Sequence, residues 1–142
     1  MLRPILLAVL VAFPTLVQAQ DFMQRQRFTI PVNQIDPSTF EVIEADSAGG
    51  TQLWCAAGLY ARNVLGLGGE NLYIQTGRGD ATTVPGRKSV VFSSTPVDGA
   101  FSSPDQGVRR AGKVFSVTHA FSFCRNLPFL RVRTPDNQLV RR

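Results

Sequence analysis

Two cysteines, Cys55 and Cys124, are the only ones in this chain of 142 residues, and they set its strongest constraint. They stand 69 positions apart, so a bond between them ties distant segments into one unit. In the chain-entropy account, closing a loop of that length stabilises a fold by about 4 kcal/mol. Whether the bond is expected depends on the compartment, because disulfides persist where the surroundings are oxidising.

The first residues point to such a compartment. Arg3 supplies a positive start, Ile5 to Phe13 is continuously apolar, and Pro14 breaks the run. Val17-Gln18-Ala19 then places small residues three and one before a candidate cut, the pattern of a secretory signal peptide. Cleavage is expected between Ala19 and Gln20. The apolar run is too short to cross a bilayer, which takes about 20 residues. No second stretch of spanning length follows, so no transmembrane segment is expected in the mature chain. The expected location is the periplasm or the cell exterior, and an exported pair of cysteines is expected to bond within the chain.

Residues 20–142 number 123, enough for one small domain and too few for two. All 12 glycines of the chain lie in this part, which favours short strands and turns over long helices. One segment does carry helical spacing. Thr51 to Leu65 begins on a capping residue and stops at Gly66, Gly68 and Gly69. On an ideal helix Leu53, Ala57, Tyr60 and Val64 share a stripe, and Cys55 falls beside Arg62 on a flank away from it. The disulfide is therefore expected to strap the Cys124 segment across the helix at the edge of the core.

Strands are expected at Phe28–Val32, Thr39–Glu44, Asn71–Gln75, Lys88–Ser93 and Phe129–Arg133, with Pro31 confining the first to a sheet edge. Lys113–Phe123 gives the strongest strand pattern. There Phe115, Val117, Phe121 and Phe123 alternate with Ser116, Thr118, Ala120 and Ser122, and His119 falls in register with the phenylalanines. Ser94 to Gly112 reads as a long irregular connection and Asp136 to Arg142 as a polar tail. The order predicts an α+β fold: one helix packed on a mostly antiparallel sheet of about four to five strands, with a single disulfide.

Chemistry is sparsely marked. His119 is the only histidine, so any histidine-based mechanism must use it, oriented by a carboxylate such as Glu41 or Glu44. No nucleophile motif accompanies it. With both cysteines bonded, the remaining soft ligand is one histidine, and Glu41, Glu44 and Asp46 lack the spacing of a calcium loop; no metal site or cofactor is expected. Gly66-Leu67-Gly68-Gly69 follows a helix instead of preceding one, which is the wrong polarity for a phosphate cradle. Arg78-Gly79-Asp80 reads as a turn.

Charge is the most informative feature. Residues 20–80 hold four basic residues against seven acids, whereas residues 81–142 hold ten against three. Arg125, Arg131, Arg133, Arg141 and Arg142 crowd the C-terminus, and on a strand Arg131 and Arg133 share a face. The leading expectation is an exported non-enzymatic module that works by surface contact, its basic half meeting an anionic polymer, lipid headgroups or an acidic protein. Nucleic acid is not expected, because no basic-aromatic module accompanies the arginines. Two alternatives stand beside it: a small hydrolase or ligand-binding enzyme centred on His119, and a small-ligand carrier whose Phe-rich strand lines a cavity.

Overall fold

The structure, a computed structural model, describes residues 26–142. The expected signal segment and its cut lie outside the described residues. Alternation organises the first strand: Phe28, Ile30 and Val32 are buried while Thr29, Pro31 and Asn33 are half-buried on the other face. This strand, β1 (Phe28–Asp36), turns at Pro37-Ser38 into β2 (Thr39–Ile43). Helix α1 (Gly50–Asn63) follows, then β3 (Asn71–Asp80), β4 (Lys88–Ser93) and β5 (Val114–Ser116). A short helix α2 (Val117–Ser122) runs into a 3-10 turn (Phe123–Asn126), and β6 (Leu130–Arg133) and β7 (Leu139–Val140) complete the chain.

The seven strands form one curled sheet in the order β5-β3-β4-β2-β1-β6-β7. All neighbours are antiparallel except β1 and β6, which run parallel. The mixed α+β class and the mostly antiparallel sheet agree with the sequence reading. The element count does not: among the described residues two α-helices and seven strands replace one helix and four or five strands.

Each difference has a physical source. Pro31 does not hold β1 at an edge, because the strand changes partners there. Phe28–Pro31 pairs with β6, and the pairing with β2 begins at Val32. β3 continues through Thr76–Asp80, beyond the expected end at Gln75, by taking register shifts between Ile74 and Thr76 and between Thr76 and Gly79. Arg78-Gly79-Asp80 is therefore strand and not turn, with Gly79 opposite Ser89 and Asp80 opposite Lys88. The polar tail also gains a strand, Val140 pairing with Val132.

The largest correction concerns Lys113–Phe123. Only Val114–Ser116 is strand; Ser116 then caps α2, its Oγ accepting from the His119 amide at 3.0 Å. Val117, Ala120 and Cys124 are buried and Phe121 is half-buried, a spacing of three, four and seven that belongs to a helix.

What α2 covers explains a second correction. Leu53 to Ala61 are all buried, so α1 has no exposed flank along its middle turns. One side of α1 rests on the sheet, with Trp54 edge-on to Phe92 and Phe115 and Tyr60 tilted against Phe40. α2 and the 3-10 turn cover the other. Cys55 is fully buried and bonded to Cys124, which is 2% exposed, so the disulfide sits inside the packing between helices and not at its margin.

Candidate functional site

The five C-terminal arginines arrive from three pieces of backbone. Leu130 and Val132 turn into the core, which forces Arg131 and Arg133 onto the opposite face of β6. The 3-10 turn presents Arg125, and the tail beyond β7 carries Arg141 and Arg142. That tail is held down: the Asn63 side-chain amide donates to the Arg141 carbonyl at 3.2 Å, and Arg142 donates to the Arg125 carbonyl at 3.4 Å.

Arg27, Arg62 and Phe129, none of them expected from the sequence as site residues, join them. Arg27, Phe129, Arg131 and Arg141 line a small cleft of about 220 Å³ with Pro128, and the Arg27 guanidinium stands 6.0 Å from the Phe129 ring centre. Phe129 is 45% exposed, an apolar floor between cations. Arg62 and Arg142 lie 4.4 and 5.9 Å from the Phe121 ring centre, so two cations share one aromatic ring. Arg62, Arg27 and Phe129 come to this face by folding alone.

Three cations elsewhere are paired, whereas Arg87, Arg109 and Arg110 have no acidic partner among the described residues. Arg78 pairs with Glu44 at 2.5 Å, Lys88 with Asp80 at 2.5 Å, and Lys113 with Asp105. Among the described residues no carboxylate lies within ion-pair distance of Arg125, Arg131, Arg133, Arg141 or Arg142.

His119 does not fall in line with buried phenylalanines. It is exposed on α2, its ring 4.6 Å from Phe115 and 5.1 Å from Phe123. Neither carboxylate considered as its partner reaches it. Glu44 is engaged by Arg78. Glu41 is fully buried and accepts from the Thr82 and Thr83 amides at 2.8 and 2.9 Å, from the Ser89 hydroxyl at 2.6 Å and from the Thr83 hydroxyl. Burial alone would push the Glu41 carboxyl up; the bonds from Ser89, Thr83 and Thr82 outweigh it and hold the group below its ordinary value. An acceptor so thoroughly satisfied pins the 81–87 loop to the sheet. Among the described residues no cluster of histidine, cysteine or acidic side chains is arranged to hold a metal ion.

A larger cleft, about 880 Å³, lies apart from the arginine face. Its walls come from the start of α1, from Arg78 on β3 and from Phe101 to Lys113 in the long connection. Phe115, Phe121 and Phe123, the strand phenylalanines of the carrier reading, are not among its lining residues. No sequence signal announces this cleft, since its lining residues, from Glu44 to Lys113, are separated by up to 69 positions. Among the described residues no helix is long and apolar enough to cross a membrane. The chain matches no model of a known protein family, no curated protein and no solved structure.

Proposed function

We propose that this chain is an exported, non-enzymatic binding module whose arginine-rich C-terminal face contacts an anionic component of the cell envelope or an acidic partner protein. One observation carries the reading: Arg131 and Arg141 line one cleft with Arg27 and Phe129, Arg142 reaches the Arg125 carbonyl, and among the described residues no carboxylate is within ion-pair distance of these arginines or of Arg133. Like charges held close in water repel, and an anionic partner relieves that repulsion. The exposed Phe129 adds apolar contact beside Arg27, Arg131 and Arg141. Export is supported by the N-terminal pattern and by the internal disulfide, a bond suited to an oxidising compartment.

The test compares two variants of equal charge loss on a sulfonated matrix. Replacing Arg131, Arg133, Arg141 and Arg142 with Gln is expected to lower the salt concentration needed for elution well below that of the natural chain. Replacing Arg87, Lys88, Arg109 and Arg110 with Gln is expected to lower it much less. Equal loss in both would mean that net charge alone governs retention and would remove the C-terminal face from the account.

A further inference from the structure

The geometry points to the 880 Å³ cleft between α1 and the 101–113 connection as a binding site for a small organic anion with an aromatic or apolar body, held at its charged end by Arg109 and Arg110. Volume fits this class, since small-molecule sites span about 300–1,000 Å³. Charge fits it as well. Four cations line the cleft, Arg78, Arg109, Arg110 and Lys113, against Glu44 and Asp105. Those two acids are consumed by Arg78 and Lys113. Among the described residues Arg109 and Arg110 have no acidic partner, which leaves a cationic pair at the rim.

The site is built and not incidental to a loose loop. The Arg78 amide donates to the Val108 carbonyl at 2.8 Å, and Gly112 and Lys113 exchange backbone bonds with Ile74 at 2.7 and 2.9 Å. At Gly77 a methyl group would fall 2.2 Å from the Arg109 carbonyl oxygen, so the connection lies directly on β3 at a position only glycine tolerates. Lys113, 3% exposed, reaches Asp105 and the Gly107 carbonyl and closes the loop between them. The apolar wall is Phe101, Val108 and Ala48. Arg110 stacks over Phe101 at 4.3 Å, which fixes a guanidinium plane at the edge of that wall. The start of α1 serves as wall and not as the anion seat, because the Gln106 carbonyl is packed against Gly50.

A single tryptophan makes the test direct. Trp54 donates from Nε1 to the Gly107 carbonyl at 3.5 Å, immediately behind the cleft. Titration of the full chain with phenyl phosphate, followed by calorimetry and by Trp54 emission, is expected to saturate in both. Inorganic phosphate, which has the charge alone, and benzyl alcohol, which has the ring alone, are each expected to bind at least about tenfold more weakly. Arg109→Gln with Arg110→Gln is expected to weaken phenyl phosphate about tenfold or more, as loss of charge-assisted bonds requires, without lowering Tm. Phe101→Leu provides a second, uncharged probe of the same wall and is expected to weaken binding severalfold. Arg131→Gln with Arg141→Gln is expected to leave it unchanged, which separates this site from the C-terminal face. No saturable binding, full affinity in both cleft variants, or loss of affinity in the C-terminal variant would each overturn the assignment.

Discussion

Gly58 of α1 lies directly beneath Phe121 of α2: a methyl group at Gly58 would stand 2.4 Å from the Phe121 amide nitrogen and 2.7 Å from the Ala120 carbonyl carbon. The two helices touch backbone to backbone at this point, one turn along α1 from the buried Cys55. Arg62, a further turn on, stacks on the same Phe121 from outside. This contact decides how the second half of the chain folds.

It also fixes the sign of a substitution. Alanine is the better helix former by about 1 kcal/mol, so propensity alone favours Gly58→Ala. The obstructing atoms are backbone and cannot swing aside, and overpacking of this kind costs about 1–3 kcal/mol or more. Gly58→Ala is expected to destabilise the protein by about 2 kcal/mol in urea unfolding. A stabilised variant would show that the helices are not in contact there.

The disulfide makes a larger contribution by a different route. Replacing Cys55 and Cys124 together with Ala releases the 69-residue loop and is expected to cost about 4 kcal/mol, read from the shift of the denaturant midpoint. Under denaturing, non-reducing conditions the natural chain is expected to show no titratable thiol. Two titratable thiols would contradict the bond.

Glu41 gives the stability a pH dependence. Its folded pKa is lowered, so its contribution is present above the ordinary glutamate range and is lost as pH falls through the folded value. Glu41→Gln sets an amide donor against hydroxyl and amide donors, and is expected to cost about 2–3 kcal/mol at pH 7. The gap between natural chain and variant is expected to narrow as the pH is taken from 5 towards 2. A gap that stays constant with pH would mean that Glu41 is not ionised in the folded protein.

Much of the sheet was legible because alternation in Phe28–Val32 and Phe129–Arg133 reports one buried face directly, whereas Thr39–Ile43 is buried throughout. The region 113–124 misled because its residues satisfy two periods at once. Phe115, Val117, Phe121 and Phe123 alternate, while Val117, Ala120, Phe121 and Cys124 repeat as a helix does. What chose between them is tertiary: α1 has a second apolar side to cover, around Cys55 and Gly58, and a short helix carrying Cys124 covers it. The arginine face was legible in part. Strand alternation pairs Arg131 with Arg133, whereas Arg27, Arg62 and Phe129 join only through the parallel β1–β6 pairing and the packing of α1.

Export makes a prediction about the N-terminus. The protein recovered from outside the cytoplasm is expected to have the mass of a chain beginning at Gln20. An intact Met1 on that material would contradict cleavage between Ala19 and Gln20.

The measurement closest to the central claim is an amide-resolved NMR titration of the full chain with a short dextran sulfate at low ionic strength. Shift changes are expected to concentrate on Arg27, Arg125, Phe129 to Arg133 and Leu139 to Arg142, and to fade as salt is raised. Shifts spread evenly over every basic residue, or none above background, would contradict a binding face at the C-terminus.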